Sequence, residues 1–154
     1  MIRRAVPDDA PALAAMLRAL NDEPGLQPGL ITPDRVARDL IGDARCVVLV
    51  ACLDGHAAGL ATAHPSYDSG HSRWGLFLND LYVVPEARRH GMGRALVAAM
   101  AAEALASGGS FLWWNADEGD ETALAFHRRL GAETALVTDF ILAGESLARM
   151  ARSA

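Results

Sequence analysis

The chain has few cysteines and lacks metal-ligand spacing, and both shortages exclude classes of protein. Its only two cysteines, Cys46 and Cys52, lie at the ends of one apolar run. In a strand they would be about 20 Å apart, whereas the Cα atoms of a disulfide lie within about 7 Å. Two thiols alone do not make a metal site, and His56, His64 and His71 have no partner at metal-ligand spacing. We therefore expect two core thiols, no metal and a reducing, cytoplasmic location.

Long apolar runs and an excess of basic residues are also missing. No apolar segment approaches the roughly 20 residues of a membrane span, and the N-terminus lacks the apolar core of a signal peptide. The formal net charge is −5, which argues against a general nucleic-acid binder and would attract cationic substrates. The 154 residues are 51% hydrophobic and 21% charged. This balance predicts one globular domain over residues 1–154, with neither nucleic acid nor membrane as a partner.

The sequence does contain a pattern typical of an anion-binding turn. An apolar strand ends at Pro85 and is followed by Arg88-x-x-Gly91-x-Gly93, which opens a long alanine-rich helix. The glycines allow successive backbone N–H groups to point at one spot, and the helix adds its N-terminal N–H groups and the positive end of its dipole. The basic side chains concentrated there are Arg88, Arg89, His90 and Arg94. The pattern predicts a site that holds a phosphate group.

Two common phosphate-binding motifs are excluded at this turn. A Walker-type loop requires a Lys-Ser or Lys-Thr pair after the glycines, and this turn has none. The dinucleotide-binding fingerprint requires a third small residue, but Leu96 occupies that position. The structural alternative is an ordinary glycine-rich turn between a strand and a helix.

The spacing of apolar residues predicts the element order β-α-α-β-β-β-α-β-α-β-β. Antiparallel strands in the middle and a helical crossover make this an α/β chain (an α+β mixed sheet) with helices on both faces. Polar residues 65–73 are expected to form a loop. The later elements are a helix over 93–106, a strand over 110–115, a short helix ending at 130, closing strands over 134–137 and 139–143, and a helix over 145–152.

The glycine turn and the element order resemble the GCN5-related N-acetyltransferase (GNAT) family, over nearly the whole chain. Arg88, Gly91 and Gly93 match the acetyl-CoA-binding motif of that family. The chain looks most like spermidine/spermine and thialysine N-acetyltransferases, through residues 66–68, 76–83 and 125–132. The resemblance implies a GNAT-like acyl-CoA N-acyltransferase fold, acetyl-CoA as the cofactor, CoA as the product and a homodimer.

The resemblance also implies which residues bind the cofactor. Backbone groups at the end of the central strand would pair with the two amides of the pantetheine arm, which can act as a short extra strand. The glycine turn would hold the pyrophosphate, and the first turn of the short helix would line the other side of the channel. The expected cofactor residues are Leu81, Tyr82, Val83, Arg88, Arg89, His90, Gly91, Met92, Gly93, Arg94, Asp120, Ala123 and Phe126.

Acetyl transfer to an amine requires a base. An alkyl amine with a pKa near 10.4 is neutral only about once in several thousand molecules at pH 7, so a group must take its proton, directly or through water. Asp80 is the candidate base on the central strand. In simple alternation it shares a face with Leu76, Leu78 and Tyr82, where desolvation would raise its pKa. A strand bulge would redirect it, and a structural aspartate satisfied by backbone donors is the alternative.

His127 is the second catalytic candidate. It stands where the family usually has a tyrosine whose hydroxyl serves as the acid toward the thioester sulfur. A histidine there could donate a proton to the departing thiolate, act as a base or only line the channel. The chain departs from the pattern at two more positions, with Asn79 where the polyamine enzymes have a glutamate and Asp120 where an asparagine is common.

The substrate is expected to be a small primary amine, polyamine- or amino-acid-like. Asp22, Glu23, Tyr67 and Asp68 could form an acidic and aromatic mouth for it, together with Asn79, although solvated loop charges are the alternative. Direct transfer is expected, because no residue is placed as a covalent acyl carrier. The alternatives are a protein, peptide or aminoglycoside as the acceptor, or a catalytically decayed protein that senses CoA.

Overall fold

A computed structural model describes residues 1–153, and the chain falls into two compact units, Met1–Ala116 and Asp117–Ala154. The first unit contains a five-stranded sheet with the strand order β1-β2-β3-β4-β5. The pairs β1–β2, β2–β3 and β3–β4 are antiparallel, and the pair β4–β5 is parallel. The strands are β1 (Ile2–Arg4), β2 (Val47–Leu53), β3 (His56–Asp68), β4 (Arg73–Val83) and β5 (Leu112–Trp113). The predicted mixed sheet is confirmed.

Two helices pack on opposite faces of this sheet. On one face, α1 (Ala10–Leu20) buries Leu13 and its apolar neighbours against Val50 and Leu60. On the other face, α3 (Met92–Ala106) packs against β2, β3 and β4. Its Leu96 approaches Gly59, the residue next to Leu60 in β3. Because neighbouring residues of a strand point to opposite faces, the two helices lie on opposite sides.

A short helix beside α1 completes the first unit. Its first turn, α2 (Pro33–Arg35), begins after Thr32, whose hydroxyl accepts a hydrogen bond from the Arg35 N–H at 3.3 Å. The helix then widens into a π-helical turn, Val36–Ile41. Such turns add a residue to the helix and are frequent at functional sites. Among the described residues, none of the helices combines the length and the apolar character needed to cross a bilayer.

The expected loop over residues 65–73 is wrong. Both β3 and β4 extend into this region as a long hairpin, and only residues 69–72 form the turn. Tyr67 and Trp74 pair across the strands with ring centroids 5.1 Å apart. Aromatic cross-strand pairs stabilise a sheet, so they extended the hairpin through a segment whose composition is polar.

The second unit contains two helices, α4 (Glu121–Arg129) and α5 (Gly144–Ala151). Residues 132–143 have no regular secondary structure, so the two closing strands predicted over 134–137 and 139–143 are not formed. A strand requires a partner for its backbone groups, and this segment pairs with no strand of the described chain. Its large apolar side chains are exposed, namely Leu136, Val137, Phe140, Ile141 and Leu142.

Candidate active site

A β-bulge in β4 decides which side chains face one side of the sheet. Thr62 pairs with Asp80, but the next residue, Ala63, pairs with Leu78, so Asn79 is an extra residue in β4. Residues directly opposite each other share a face of the sheet. Asp80 therefore lies on the face of Thr62, and Leu78 lies on the other. The simple alternation that placed Asp80 on one face with Leu78 is wrong, because a bulge redirects Asp80, as the sequence allowed.

Two hydrogen bonds hold the bulge residues on β3. The Thr62 hydroxyl donates to Asp80 Oδ2, and His64 Nδ1 lies 2.6 Å from Asn79 Oδ1. Because a carbonyl oxygen only accepts, His64 Nδ1 is the donor, and Nε2 of the neutral ring is left as an acceptor. Thr62 and His64 are two residues apart and share a face of β3. The bulge thus turns two consecutive residues of β4 to the same side.

These four side chains line a cavity of about 580 Å³. The π-helical turn and the residues after it contribute Asp39, Leu40 and Asp43 to its wall. A second cavity, of about 340 Å³, shares Asp39, Leu40 and Asp80 with the first and reaches Leu17 of α1. Cavities of this size accept small molecules. Since Asp80 borders both cavities, it is central to whatever binds there.

Asp80 is also the carboxylate of this cavity that burial affects most. Desolvation raises the pKa of Asp80, and the hydrogen bond from Thr62 acts in the opposite direction. Thr62 itself is only 3% exposed and is the one buried polar residue among residues 1–153. A carboxylate whose pKa is raised accepts a proton more readily than an exposed one. Desolvation thus raises the pKa of Asp80 as predicted, although Asp80 lies on the face of Thr62 and not on that of Leu78.

The other two carboxylates of the cavity are paired with arginines. Hydrogen bonds from Arg45 lower the pKa of Asp43 to about 2. A hydrogen bond from Arg38 likewise lowers the pKa of Asp39. Both carboxylates therefore stay ionised, and the charge of each is balanced by its arginine. Neither these two carboxylates nor Thr62 was predicted from the sequence, because only the pairing register and the π-helical turn bring them to Asp80.

The end of β4 is open on the side of β5. The two strands pair only at Leu76 with Leu112 and Phe77 with Trp113. Beyond Phe77, β4 has no partner on that side among the described residues. Leu81, Tyr82 and Val83 lie on this open segment and are half-buried. An extended ligand with amide groups can pair with such a backbone edge.

The predicted phosphate site lies in the turn between β4 and α3. Arg89 and Gly91 have left-handed backbone conformations, with φ of 68° and 80°. The first helical hydrogen bond of α3 runs from the Ala95 N–H to the Gly91 carbonyl at 2.9 Å. By helix geometry, the N–H groups of the first turn point out of the helix end, where the dipole is positive. The local backbone is therefore suited to an anion.

Arg88 has a different position from the other basic residues of the turn. Its Nε donates to the Val83 carbonyl at 2.8 Å, and its guanidinium lies 5.5 Å from the centroid of the Tyr82 ring. The side chain thus connects the turn to the end of β4. Arg89 and Arg94 supply further exposed positive charge at the start of α3, with His90 beside them.

The remaining predicted site residues of the second unit lie on α4. Asp120 caps this helix, because its Oδ1 accepts a hydrogen bond from the Ala123 N–H at 2.9 Å. The rings of Phe126 and His127 are 5.1 Å apart. Desolvation lowers the pKa of His127, and the charge of Asp120 opposes that effect. A lowered pKa favours the neutral imidazole at neutral pH, which weakens the case for an imidazolium acid.

Most of the predicted substrate residues lie away from the cavity wall. Asp22 and Glu23 are exposed on the loop after α1. Tyr67 and Asp68 lie near the end of the β3–β4 hairpin, where their side chains bond within the hairpin. Asn79 is the predicted substrate residue that lines the cavity. The substrate contacts expected of Asp22, Glu23, Tyr67 and Asp68 stay predictions.

Comparison with known proteins connects this geometry to a family. The family model described as acetyltransferase (GNAT) family matches residues 13–132 of the chain. No curated protein sequence matches the chain.

Three solved structures illustrate the shared fold. An aminoglycoside acetyltransferase from an uncultured soil metagenomic sample, in complex with sisomicin, has a TM-score of 0.77 and 21% identity, covering 94% of this chain and 96% of that one. An aminoglycoside N-acetyltransferase in complex with CoA has a TM-score of 0.76 and 20% identity, covering 94% and 99%. A ribosomal-protein-alanine N-acetyltransferase from Brucella melitensis biovar Abortus 2308 has a TM-score of 0.72 and 21% identity, covering 94% and 98%.

Proposed function

The chain belongs to the acetyltransferase (GNAT) family and is an acetyl-CoA-dependent N-acetyltransferase, and we propose that its acceptor is a small primary amine, polyamine- or amino-acid-like. One observation carries this proposal. A single strand, β4, presents an open backbone edge on one side and, through its bulge, Asp80 to a cavity of about 580 Å³. The edge suits the cofactor arm, and the cavity suits an acceptor of limited size.

Acetyl-CoA supplies an activated acetyl group as a thioester when it is bound. The backbone of Leu81, Tyr82 and Val83 is proposed to pair with its pantetheine arm, and residues 89–94 with its pyrophosphate. The left-handed turn and the N-terminus of α3 support the second assignment. Arg88 is proposed to orient this turn through Val83. The family resemblance extends the proposal to Asp120, Ala123 and Phe126 as channel residues.

Asp80 is proposed to receive the acceptor. Its carboxylate would hold the ammonium group of the substrate and draw off its proton, directly or through water. The desolvation that raises its pKa supports this role, and so does its position in the wall of the cavity. Asn79 would contact the same substrate. His127 is proposed to contact the thioester sulfur, as the family resemblance implies.

A homodimer in the cytoplasm is proposed for the whole protein. Leu136, Phe140 and Ile141 are 91%, 93% and 87% exposed. Exposed apolar patches of this kind on soluble proteins often mark interfaces, and identical subunits most often associate as symmetric dimers. Cys46 and Cys52 are both free thiols, which is compatible with a reducing compartment.

Thiol release tests the proposed function. Purified protein is incubated with acetyl-CoA and a panel containing a polyamine, a lysine-like amino acid, an aminoglycoside such as sisomicin and a peptide with a free N-terminus. Fastest release with one of the first two amines is expected. Release only with the aminoglycoside or the peptide would move the acceptor to that class. Tight CoA binding without release in any mixture would contradict catalysis and favour a sensor.

A further inference from the structure

We infer that His64 is a second catalytic residue of this site, the base that takes the proton of the acceptor ammonium, with Asn79 holding its ring. This inference rests on the proposed function and refines the part given there to Asp80. Asp80 then keeps the negative charge that holds the ammonium. His64 was not predicted as a site residue, because a lone histidine in a strand is usually structural.

The tautomer of His64 carries the argument. His64 Nδ1 donates its proton to Asn79 Oδ1 at 2.6 Å, so the neutral ring has its lone pair on Nε2. A neutral imidazole with a fixed acceptor nitrogen is the usual form of a histidine base. Asn79 is available for this bond only because the bulge turns it to the face of His64. The bulge therefore selects both the ring orientation and the tautomer.

The position of His64 also favours it over Asp80 as the final proton acceptor. Desolvation raises the pKa of Asp80, but its Oδ2 already accepts the Thr62 hydroxyl, and this bond favours the ionised carboxylate. His64 is exposed at the cavity wall, so a proton it takes can pass on to water. Its ring also packs against Phe77, with centroids 5.5 Å apart. This contact and the bond to Asn79 restrict the ring from two sides.

The charges around the cavity are compatible with this step. The ionisable groups that line it with His64 are Asp39, Asp43, Asp80 and Arg45, with Cys46 beside them. Arg45 is bound to Asp43 at 2.6 Å and Arg38 to Asp39 at 2.6 Å, so Asp80 is the cavity carboxylate whose charge no arginine balances among the described residues. The charge of Asp80 attracts the cationic acceptor.

The complete step balances. The ammonium gives one proton to His64 Nε2, and the neutral nitrogen uses its lone pair to attack the thioester carbonyl carbon. A C–N bond forms, and the C–S bond breaks with its electron pair on sulfur. The amide nitrogen loses its second proton, one proton is taken up by the CoA thiolate, and the net reaction releases one proton to solvent. No oxidant or reductant is required.

Steady-state kinetics of His64→Gln and Asp80→Asn test the assignment, with His56→Gln as the matched control. His56 is an exposed histidine at the start of the same strand, outside the cavity wall. At pH 7, His64→Gln is expected to lower kcat by about 10²–10⁴-fold, the usual range for a lost general base. The difference in kcat between His64→Gln and the wild type should become smaller as pH rises toward the pKa of the amine, because a larger fraction of the acceptor is then already neutral. Asp80→Asn should mainly raise the KM for the amine.

Chemical rescue separates a base from a structural histidine. The kcat of His64→Ala is expected to rise with added imidazole, whereas the kcat of the control, His56→Gln, should not change. Asn79→Ala should have a lower kcat than the wild type, because loss of the Asn79 amide frees the His64 ring. Full activity of His64→Gln, or a loss that neither imidazole nor high pH restores, would overturn the inference while leaving acetyl transfer intact. A pH-dependent kcat deficit in Asp80→Asn alone would assign the base to Asp80 instead. A wild-type protein without thiol release on any amine would refute the proposed function and this inference together.

Discussion

Asp80 is a residue at which stability and proposed function oppose each other. Burial raises the pKa of Asp80 above the ordinary aspartate value of 3.8. Between 3.8 and the raised pKa, the folded chain therefore binds more protons than the unfolded chain. The free energy of unfolding falls as pH rises through this window and stays lower above it. The ionised form that binds a cation is thus the less stable one.

Replacing Asp80 by Asn should stabilise the protein while impairing its activity. The amide has nearly the same shape, can still accept the Thr62 hydroxyl and carries no charge to desolvate. We expect a higher Tm than that of the wild type at pH 7, with a gap that narrows as pH falls toward 4. Calorimetric Tm values across this range give the measurement. Asp117→Asn removes an exposed carboxylate and should leave the Tm nearly unchanged at each pH. An equal or lower Tm for Asp80→Asn at pH 7 would contradict the argument.

The pKa of His127 in α4 can be measured separately. Asp120 raises the pKa of His127 through its charge, against the lowering caused by burial. Asp120→Asn removes that charge but keeps an oxygen that can cap the helix. We expect the pKa of His127, followed by NMR, to fall in this variant. Asp117→Asn, in the loop before α4, is the control. An unchanged pKa of His127 in Asp120→Asn would show that the charge of Asp120 does not act on the ring.

At the level of elements, the turn before α3 has the most restricted backbone. Gly91 has a φ of 80°, and apart from Gly91 and its two neighbours in the chain, no residue has an atom within 4 Å of the position that a Cβ would take. Its need for glycine is therefore one of backbone conformation, since a side chain would have room but would strain the left-handed form. Arg89 adopts the same region with a full side chain, which is costly and is more often found at functional sites.

Gly91→Ala should consequently act on both stability and cofactor binding. We expect a loss of about 1–2 kcal/mol in the free energy of unfolding, measured in urea, and a weaker Kd for CoA by calorimetry. Gly29→Ala serves as the control, because Gly29 has no positive φ and also has open space around its Cβ position. A Kd that stays at the wild-type value would mean that this turn does not hold the pyrophosphate.

The elements also show what the sequence could and could not predict. Strict local signals, such as the glycine turn and the apolar periodicity of α3, predicted their elements correctly. The errors concerned which segments pair as strands. The hairpin through residues 65–73 depends on the Tyr67–Trp74 contact across strands, and the apolar stretches of residues 134–143 have no partner strand in the described chain. Thr62 and His64 could be recognised as site residues only once the register with Asp80 and Asn79 was known.

For the molecule as a whole, the exposed apolar segment 136–142 is expected to mediate association. Phe140→Asp places a charge at its most exposed aromatic residue and should convert the proposed dimer into a monomer, because burying an unpaired charge is costly. Light scattering after gel filtration gives the mass. Leu105→Asp changes an exposed leucine of α3, 70% exposed, and should leave the mass unchanged. A wild-type protein that is monomeric at every concentration would contradict the proposed dimer.

The open segment of β4 makes local hydrogen exchange a reporter of cofactor occupancy. Beyond Phe77, the N–H groups that face away from β3 have no strand acceptor among the described residues. They should exchange with deuterium quickly in the ligand-free protein and slowly once CoA pairs with them. An unpaired edge is also where another chain can add a strand. Cellular acetyl-CoA would then act as a chaperone for this enzyme, and cofactor depletion would favour its aggregation.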